Sequence, residues 1–233
     1  MTTHQFLVRE AAPETPRAIR LTLDAAGAGL RFRAGQAAMV GLADRAARKP
    51  YSIASSPEEL RRNASLTFLI EVGADGQSRP NLDSIGPGSR VAVEGPAGGF
   101  VLPQRLPREL LFVAGGTGIA PLRAMMASAL ARPAPPAITL IYSARTPAEF
   151  AFARELRRWS QQGRIRLCAT ATREADAGWR GRRGRIRQEW IDALVKDRNP
   201  LCFVCGPEPF VAAIIGMLRE TGVPARNIRR ERY

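Results

Sequence analysis

The chain has 233 residues, a formal net charge of +14 and 45% hydrophobic residues. A chain of this length and apolar content can build one large domain or two smaller ones around real cores. No apolar run approaches the roughly 20 residues that cross a bilayer, the N-terminus lacks the pattern of a signal peptide, and three cysteines make neither a disulfide framework nor a four-thiolate cluster. These features predict a cytoplasmic protein.

The positive charge comes almost entirely from arginine, because only Lys49 and Lys196 among the 35 cationic residues are lysines. Two interpretations stay open. A basic surface can attract an acidic partner, a phosphorylated cofactor or nucleic acid, or a coding bias has placed arginine wherever a surface cation is tolerated. The arginines are scattered, and no zinc-finger spacing or aromatic RNA-binding signature is present, so a dedicated nucleic-acid binder is not expected.

The first half of the chain contains short β-like runs that are separated by turn residues. These runs cover 6–10, 17–23, 38–42, 67–72 and 90–95. Strands at this spacing predict an antiparallel barrel or sandwich. A single short helix is predicted here, around 81–85.

Two stretches of this half carry chemistry. The segment 48–57 combines cations, the ring of Tyr51 and several hydroxyls, which suits a flat, phosphorylated ligand; the alternative is an ordinary strand exit rich in serine and proline. The second stretch holds Gly76, Gln77 and Ser78. It can bring backbone N–H groups and a hydroxyl to a phosphate, or it can be a simple surface turn.

The second half alternates predicted strands and helices. The strand 110–113 leads into Gly115, Gly116 and Gly118 and then into a helix over 121–131. Further strands are predicted over 137–142, 164–170, 200–205 and 227–233, with helices over 146–162, 188–195 and 209–220 and a basic loop over 173–185. Thr146 suits the start of the first of these helices as its N-cap. The alternation predicts a mostly parallel sheet with helices on both faces.

The glycine turn is a candidate phosphate site, because such turns point free N–H groups at an anion. Ligands of parallel sheets bind beyond the carboxyl ends of the strands, where this turn, 142–145 and 205–207 converge. The second strand ends without the acidic residue that holds an NAD ribose, whereas Arg145 can accommodate a 2′-phosphate. Arg173, at the next strand end, can join it. NADP(H) is favoured over NAD(H); the alternative is that Arg145 is one more exposed arginine.

Cys202 and Cys205 form a C-x-x-C pattern inside a strand, where the two thiols point to opposite faces. No dithiol function is therefore expected. His4 is the only histidine, so neither a histidine-dependent triad nor a multi-histidine metal site is predicted.

Five motifs in order resemble those of the ferredoxin–NADP reductase family of flavoenzymes, and the resemblance extends along nearly the whole chain. They are Lys49-Pro50-Tyr51-Ser52, similar to the family's Arg-x-Tyr-Ser flavin motif; Gly76-Gln77-Ser78, its second flavin motif; Gly116-Thr117-Gly118-Ile119-Ala120-Pro121, its nicotinamide-nucleotide loop; Cys205-Gly206-Pro207, its motif beside the nicotinamide; and Glu231-Arg232-Tyr233, its terminus.

The resemblance implies an N-terminal six-stranded antiparallel barrel over 1–104 that binds FAD. It also implies a C-terminal Rossmann-like parallel α/β domain over 105–233 that binds NAD(P). A hydride would pass between nicotinamide C4 and flavin N5. By position, Tyr51 would lie against the flavin ring, and Ser52 would hydrogen-bond near N5. Gly76, Gln77 and Ser78 would bind the pyrophosphate of the flavin nucleotide.

The resemblance also assigns the nicotinamide side. Cys205 would lie beside the nicotinamide and Glu231 near the reacting centre, which makes Ser52, Cys205 and Glu231 the expected catalytic residues. Tyr233 would cover the exposed face of the flavin. The other expected cofactor-binding residues are Arg48, Lys49, Pro50, Ile53, Gly116, Thr117, Gly118, Arg145, Arg173, Gly206 and Pro207.

One position departs from the family pattern. The arginine that pairs with the flavin phosphate is Lys49 here, and a lysine cannot form the same bidentate fork. Arg48 stands beside it and can substitute, although the pleat of the strand would aim its side chain elsewhere. FMN in place of FAD therefore stays open.

The function that the resemblance implies is a reductase in which NAD(P)H gives a hydride to FAD and electrons pass to a separate acceptor. A basic surface suits an acidic ferredoxin or flavodoxin. Two alternatives are kept: a free-flavin reductase that uses flavin as a substrate, and an electron-transfer subunit of a larger oxidoreductase complex.

Overall fold

The computed structural model describes residues 2–72, 82, 85–173, 178–195 and 199–233. They fall into two units, one of Met1–Leu102 with Arg123–Ala131 and one of Pro103–Leu122 with Arg132–Tyr233. The predicted flavin residues Gly76, Gln77 and Ser78 lie outside the described residues.

The first unit contains a six-stranded antiparallel sheet in the order β4-β3-β6-β1-β2-β5. Its strands are β1 Thr3–Thr15, β2 Ala18–Asp24, β3 Ala37–Leu42, β4 Lys49–Ser52, β5 Ser65–Glu71 and β6 Arg90–Ala97. Ile53, just after β4, forms an antiparallel bridge with Phe68 of β5. Because β4 and β5 are the two ends of this order, the bridge joins the sheet edges and closes the sheet there. The predicted antiparallel N-terminal architecture is confirmed.

The alternation of apolar and polar residues explains why these strands share one core. Phe6, Leu21, Phe68 and Val91 are buried in it together, since every second side chain of a strand points to the same face. Ile53 belongs to the same cluster and is fully buried. The candidate flavin strand is therefore anchored at its end by the core of the unit.

A helix that the sequence analysis did not predict follows this strand. α1 spans Pro57–Asn63 and begins with a capping box, in which the Glu59 N–H donates to Ser56 Oγ (3.2 Å) and the Ser56 N–H donates to Glu59 Oε2 (2.7 Å). The expectation of only one helix in this half is wrong, because α1 is present; the predicted helix around 81–85 lies largely outside the described residues. The Ser-x-x-Glu signal with proline at the first helical position was present in the sequence. Of 81–85, only Leu82 and Ile85 are described, and both are buried.

The second unit is built on a six-stranded parallel sheet in the order β10-β9-β8-β7-β11-β12. The strands are β7 Glu109–Gly115, β8 Ala137–Ala144, β9 Arg166–Ala171, β10 Arg182–Arg183, β11 Leu201–Gly206 and β12 Ile228–Arg232, and the helices after α1 are α2 Ile119–Leu130, α3 Ala153–Gln161, α4 Gln188–Val195 and α5 Glu208–Glu220. Helices α4 and α5 bury Leu111, Val113 and Val204 of the central strands. The predicted parallel sheet is confirmed, and β10 is an addition inside the predicted basic loop.

One predicted helix is divided in two. The segment predicted as a helix over 146–162 forms a 3-10 turn at Pro147–Glu149 and then α3, and Phe152 between them has a positive φ of 56°. The Tyr142 hydroxyl accepts the N–H of Ala151 (3.1 Å), and the ring of Phe150 packs edge-on against Tyr142. Because the side chain of Tyr142 supplies the hydrogen bond, the backbone leaves the helix here, and the Thr146 side chain makes no cap.

Candidate flavin and nucleotide sites

The glycine turn after β7 is packed against the end of β11. Gly116 has a φ of +55°, and a Cβ on Gly118 would stand 2.4 Å from the carbonyl oxygen of Cys205. The strands β7 and β11 are neighbours, with Ala114 paired to Cys205. The glycine at 118 is therefore required by the approach of two backbones. This packing brings together the two predicted nicotinamide motifs, around Gly118 and around Cys205-Gly206.

The C-terminal tyrosine contacts the same turn. The hydroxyl of Tyr233 donates to the carbonyl oxygen of Gly115 (2.9 Å) and accepts the N–H of Gly118 (3.2 Å), while 55% of the residue stays exposed. The sequence predicts a phosphate as the partner of the N–H groups of this turn and the flavin as the partner of the Tyr233 ring. In the structure, the tyrosine hydroxyl takes the N–H.

Cys205 and Glu231 are cross-strand partners on β11 and β12. Burial raises the pKa of the Cys205 thiol far above its usual range, and the negative charge of Glu231 raises it further. The thiol is therefore protonated and neutral at physiological pH, and it can act as a neutral donor or packing group rather than as a thiolate nucleophile.

Two arginines meet at the carboxyl ends of β8 and β9. The N–H of Arg173 donates to the carbonyl oxygen of Arg145 (2.8 Å), and the N–H of Thr172 donates to that of Ala144 (2.9 Å). Arg145 and Arg173 are both exposed. The structure thus makes neighbours of the two residues that were predicted to read a 2′-phosphate.

An aromatic group beside the turn was missed by sequence reasoning. The Tyr142 hydroxyl donates to the carbonyl oxygen of Gly116 (3.1 Å), and the ring of Phe150, which packs on Tyr142, also stacks on Trp179 at 5.1 Å between centroids. Trp179 is held by its indole N–H, which donates to the carbonyl oxygen of Arg182 (2.9 Å). The only sequence signal was a tyrosine at the end of an apolar strand, and its tertiary partners lie in a separate loop.

The candidate flavin segment is β4 with the residues on either side of it. Lys49 and Pro50 are exposed, Tyr51 and Ser52 are half-buried, and Ile53 is fully buried. Burial raises the pKa of the Tyr51 phenol to about 12, with a further contribution from the Glu71 carboxylate. The ring is therefore neutral over the physiological range, as an aromatic platform for a flat ligand requires.

Arg48, just before this strand, carries a cationic side chain with a buried donor, its Nε atom, that lacks a hydrogen-bond partner among the described residues. A buried donor without a partner is uncommon in proteins and needs an explanation. A phosphate oxygen of a flavin nucleotide would supply an acceptor, so the residues present fit such a group.

The three cysteines are free thiols, and burial raises the pKa of Cys202 to about 12. Within the described parts of the chain, no group of three or more histidine, cysteine, aspartate or glutamate side chains could hold a metal ion. In the same parts of the chain, none of the helices combines the length and the apolar character needed to traverse a bilayer.

A closed antiparallel sheet and a parallel sheet with a nucleotide-type glycine turn define a class of protein, the two-domain oxidoreductases that use a flavin and a nicotinamide nucleotide. The family models agree with this class. Residues 8–102 match the oxidoreductase FAD-binding domain, and residues 112–215 match the oxidoreductase NAD-binding domain. The first match favours FAD over FMN, which the sequence analysis had left open.

Comparison with individual proteins shows which members of this class the chain is similar to. Ferredoxin–NADP reductase B of Sorangium cellulosum is 30% identical over 233 residues, which cover 95% of this chain and 93% of that protein. The anthranilate 1,2-dioxygenase electron transfer component of Acinetobacter baylyi is 26% identical over 96% of this chain, which spans only 64% of that longer protein. A ferredoxin–NADP⁺ reductase structure from Neisseria gonorrhoeae shares the fold, with a TM-score of 0.81, 20% identity, and coverage of 100% of this chain and 99% of that one.

The chain belongs to the ferredoxin–NADP reductase family of flavoenzymes. It is an FAD-dependent NAD(P)H oxidoreductase.

The packing of the glycine turn predicts unequal effects for two alanine substitutions. Gly118→Ala forces a Cβ against the Cys205 carbonyl and should lower the free energy of unfolding by about 1–3 kcal/mol. Gly216 lies in α5 with open space around it, so Gly216→Ala should raise it by about 1 kcal/mol. Urea unfolding followed by tryptophan fluorescence reports on the second unit, which contains Trp159, Trp179 and Trp190. Wild-type stability in Gly118→Ala would contradict the described packing.

The raised pKa of Tyr51 predicts a loss of stability at alkaline pH. The folded state holds the phenol proton more tightly than the unfolded chain, in which tyrosine titrates near pH 10. This contribution is complete below pH 10 and is lost as the pH rises through about 12. Urea midpoints of wild type and Tyr51→Phe can be compared by circular dichroism from about pH 8 to about pH 11. As the pH rises, the midpoint of the wild type should fall relative to that of the phenylalanine variant, so that the two converge or cross. Parallel profiles would show that Tyr51 is not desolvated.

Proposed function

We propose that this protein is a reductase that receives electrons from NAD(P)H and passes them to a separate acidic electron-transfer protein such as a ferredoxin or flavodoxin. The observation that carries this proposal is the similarity to the Sorangium reductase over nearly the full length of both chains. The Acinetobacter relative is also an electron transfer component. The net charge of +14 favours an acidic partner, because complementary charge speeds encounter. A cytoplasmic location is part of the proposal.

The flavin would be held by residues 1–104. When bound, FAD supplies a ring that accepts a hydride at N5 and releases electrons singly. Tyr51 would provide the neutral face on which the ring lies, and Ser52 would donate a hydrogen bond near N5. Arg48 and Lys49 would neutralise phosphate charge, while Pro50 and Ile53 would hold the strand in place. Gly76, Gln77 and Ser78 would bind the pyrophosphate.

The nicotinamide nucleotide would be held by residues 105–233. The backbone of Gly116, Thr117 and Gly118 would face its phosphates, and Cys205, Gly206 and Pro207 would line the nicotinamide. The neutral Cys205 thiol would pack against the ring without adding charge, with Glu231 as its neighbour on β12. Tyr233 would have to release the Gly118 N–H for that group to reach a phosphate.

Free-flavin reduction is the second candidate, and Lys49 favours it because a lysine holds a flavin phosphate less firmly than the arginine fork of the family. The two functions differ in whether the flavin stays on the protein. Retention of yellow FAD after gel filtration supports a bound cofactor, and its quantitative loss supports a flavin substrate.

Anaerobic stopped-flow mixing of the FAD-loaded protein with NADPH or NADH tests the reductase activity. We expect the flavin absorption to bleach with at least one nucleotide, and the reduced protein to pass electrons to an added ferredoxin. Bound FAD that neither nucleotide reduces would refute the proposal.

NADP(H) is the nucleotide that we propose, because Arg145 and Arg173 are adjacent at the strand ends. Arg145→Ala should raise the KM for NADPH about tenfold, since it removes a charge-assisted hydrogen bond worth about 1.5–3 kcal/mol. The KM for NADH should change by less than about twofold. Arg154→Ala, an exposed arginine on α3, is the matched control. Equal losses for the two nucleotides in Arg145→Ala would exclude a 2′-phosphate contact.

A further inference from the structure

The four residues that follow the candidate flavin strand are held by an arginine from a distant part of the chain. Arg123 of α2, which groups with the first unit, is only 9% exposed. Its Nη1 donates to Glu59 Oε2 (2.5 Å), and its Nη2 donates to Glu59 Oε1 (2.6 Å). Nη1 also donates to the carbonyl oxygen of Ala54 (3.1 Å). One guanidinium therefore binds both the Glu59 carboxylate and the backbone of residues 53–56, which we call the strand exit.

Glu59 extends this attachment to the backbone. Its carboxylate accepts the N–H of Ser56 (2.7 Å) while both oxygens receive Arg123. The neighbouring residues are fixed from the other side, since the N–H of Ala54 donates to the carbonyl oxygen of Thr67 (2.8 Å) and Ser55 Oγ accepts the N–H of Thr67 (3.0 Å). The segment 53–56 is therefore restrained at every residue, directly after Tyr51 and Ser52.

The ion pair between Arg123 and Glu59 contributes more to the orientation of the groups it joins than to the free energy of folding. Burial alone would raise the pKa of Glu59, but the hydrogen bonds and charge of Arg123, with those from Ser56, lower it, so the carboxylate is ionised. Desolvation offsets much of the attraction in a buried pair, and apolar replacements are often as stable. What such a pair adds is the fixed planar geometry of a two-bond fork.

We propose that Arg123 is a positioning residue for flavin binding: through Ala54 and Glu59 it fixes the strand exit and thereby the orientation of Tyr51 and Ser52. The inference rests on the proposed role of 48–53 as the flavin segment. Ile53 transmits the constraint, because its backbone N–H donates to the carbonyl oxygen of Gln36 (2.9 Å) and its side chain is fully buried. Displacement at Ala54 must therefore move or strain the strand before it.

The test compares the FAD-loaded wild type with Arg123→Met and Arg123→Lys. Methionine keeps the length and apolar stem, and lysine keeps the charge without the fork. We expect Arg123→Met to release FAD about tenfold faster and to slow anaerobic flavin reduction about tenfold, because small misplacements of reacting groups are costly. Arg123→Lys should lie between it and wild type. The KM for the nicotinamide nucleotide should not change in either variant.

The visible circular dichroism of the bound flavin distinguishes a positioning role of Arg123 from a merely structural one, which would leave this spectrum unchanged. It should change in Arg123→Met, because the ring of Tyr51 is expected to shift against the isoalloxazine. The matched control is Arg61→Met, which removes an ion pair between Arg61 and Glu58 on the surface of α1, where the Arg61 side chain is 70% exposed. That variant should behave as wild type in FAD release, flavin reduction rate, KM and flavin circular dichroism.

Removal of one partner leaves the buried Glu59 charge without compensation and can impair folding. The double variant Arg123→Met/Glu59→Gln removes both charges and keeps an amide oxygen for the Ser56 N–H. If it melts like wild type but loses FAD faster with an altered flavin spectrum, the inference stands. The inference is overturned if the folded double variant releases FAD, shows the flavin spectrum and is reduced as the wild type is. If the double variant does not fold, Arg123→Lys decides by the same criteria. A wild-type protein that binds no FAD would instead refute the proposed function.

Discussion

The close approach of Gly118 to the Cys205 carbonyl is the constraint on which the second unit depends. It exists because β7 and β11 are neighbours in a parallel sheet, so that their carboxyl ends and the loops after them share one edge. A side chain at 118 would separate these loops. The hydroxyls of Tyr142 and Tyr233 donate hydrogen bonds to carbonyl oxygens of the same turn. The turn is therefore a packed structural element, and its Gly118 N–H is hydrogen-bonded to Tyr233.

In the first unit, the comparable constraint acts on the end of β4. The bridge between Ile53 and Phe68 closes the sheet and buries Ile53, and Arg123 with Glu59 holds the residues that follow. Tyr51 and Ser52 thus stand on a strand that is restrained from its end. Such rigidity suits a binding site, since a ligand that meets a preorganised surface loses less conformational entropy on binding.

Much of both architectures could be predicted from local pattern, and the two missed features have different causes. Runs of alternating apolar and polar residues predicted the strands of the first unit, and the alternation of strands and helices predicted the parallel sheet. Helix α1 was missed although Ser56 and Glu59 form a recognisable capping box. The break before α3 was not visible in the sequence, because it depends on the Tyr142 hydroxyl taking the Ala151 N–H.

The sequence by itself determined the pattern of strands and helices and hence the fold class, because backbone conformation at glycine, proline and alternating apolar positions is set locally. The candidate residues of both sites came from the resemblance of five ordered motifs to those of a known family. Only the tertiary structure decided that Tyr233 binds the Gly118 N–H and that Arg123 holds Glu59. These contacts join residues from separate elements of the chain. Their geometry follows from how whole elements pack, which no local pattern encodes.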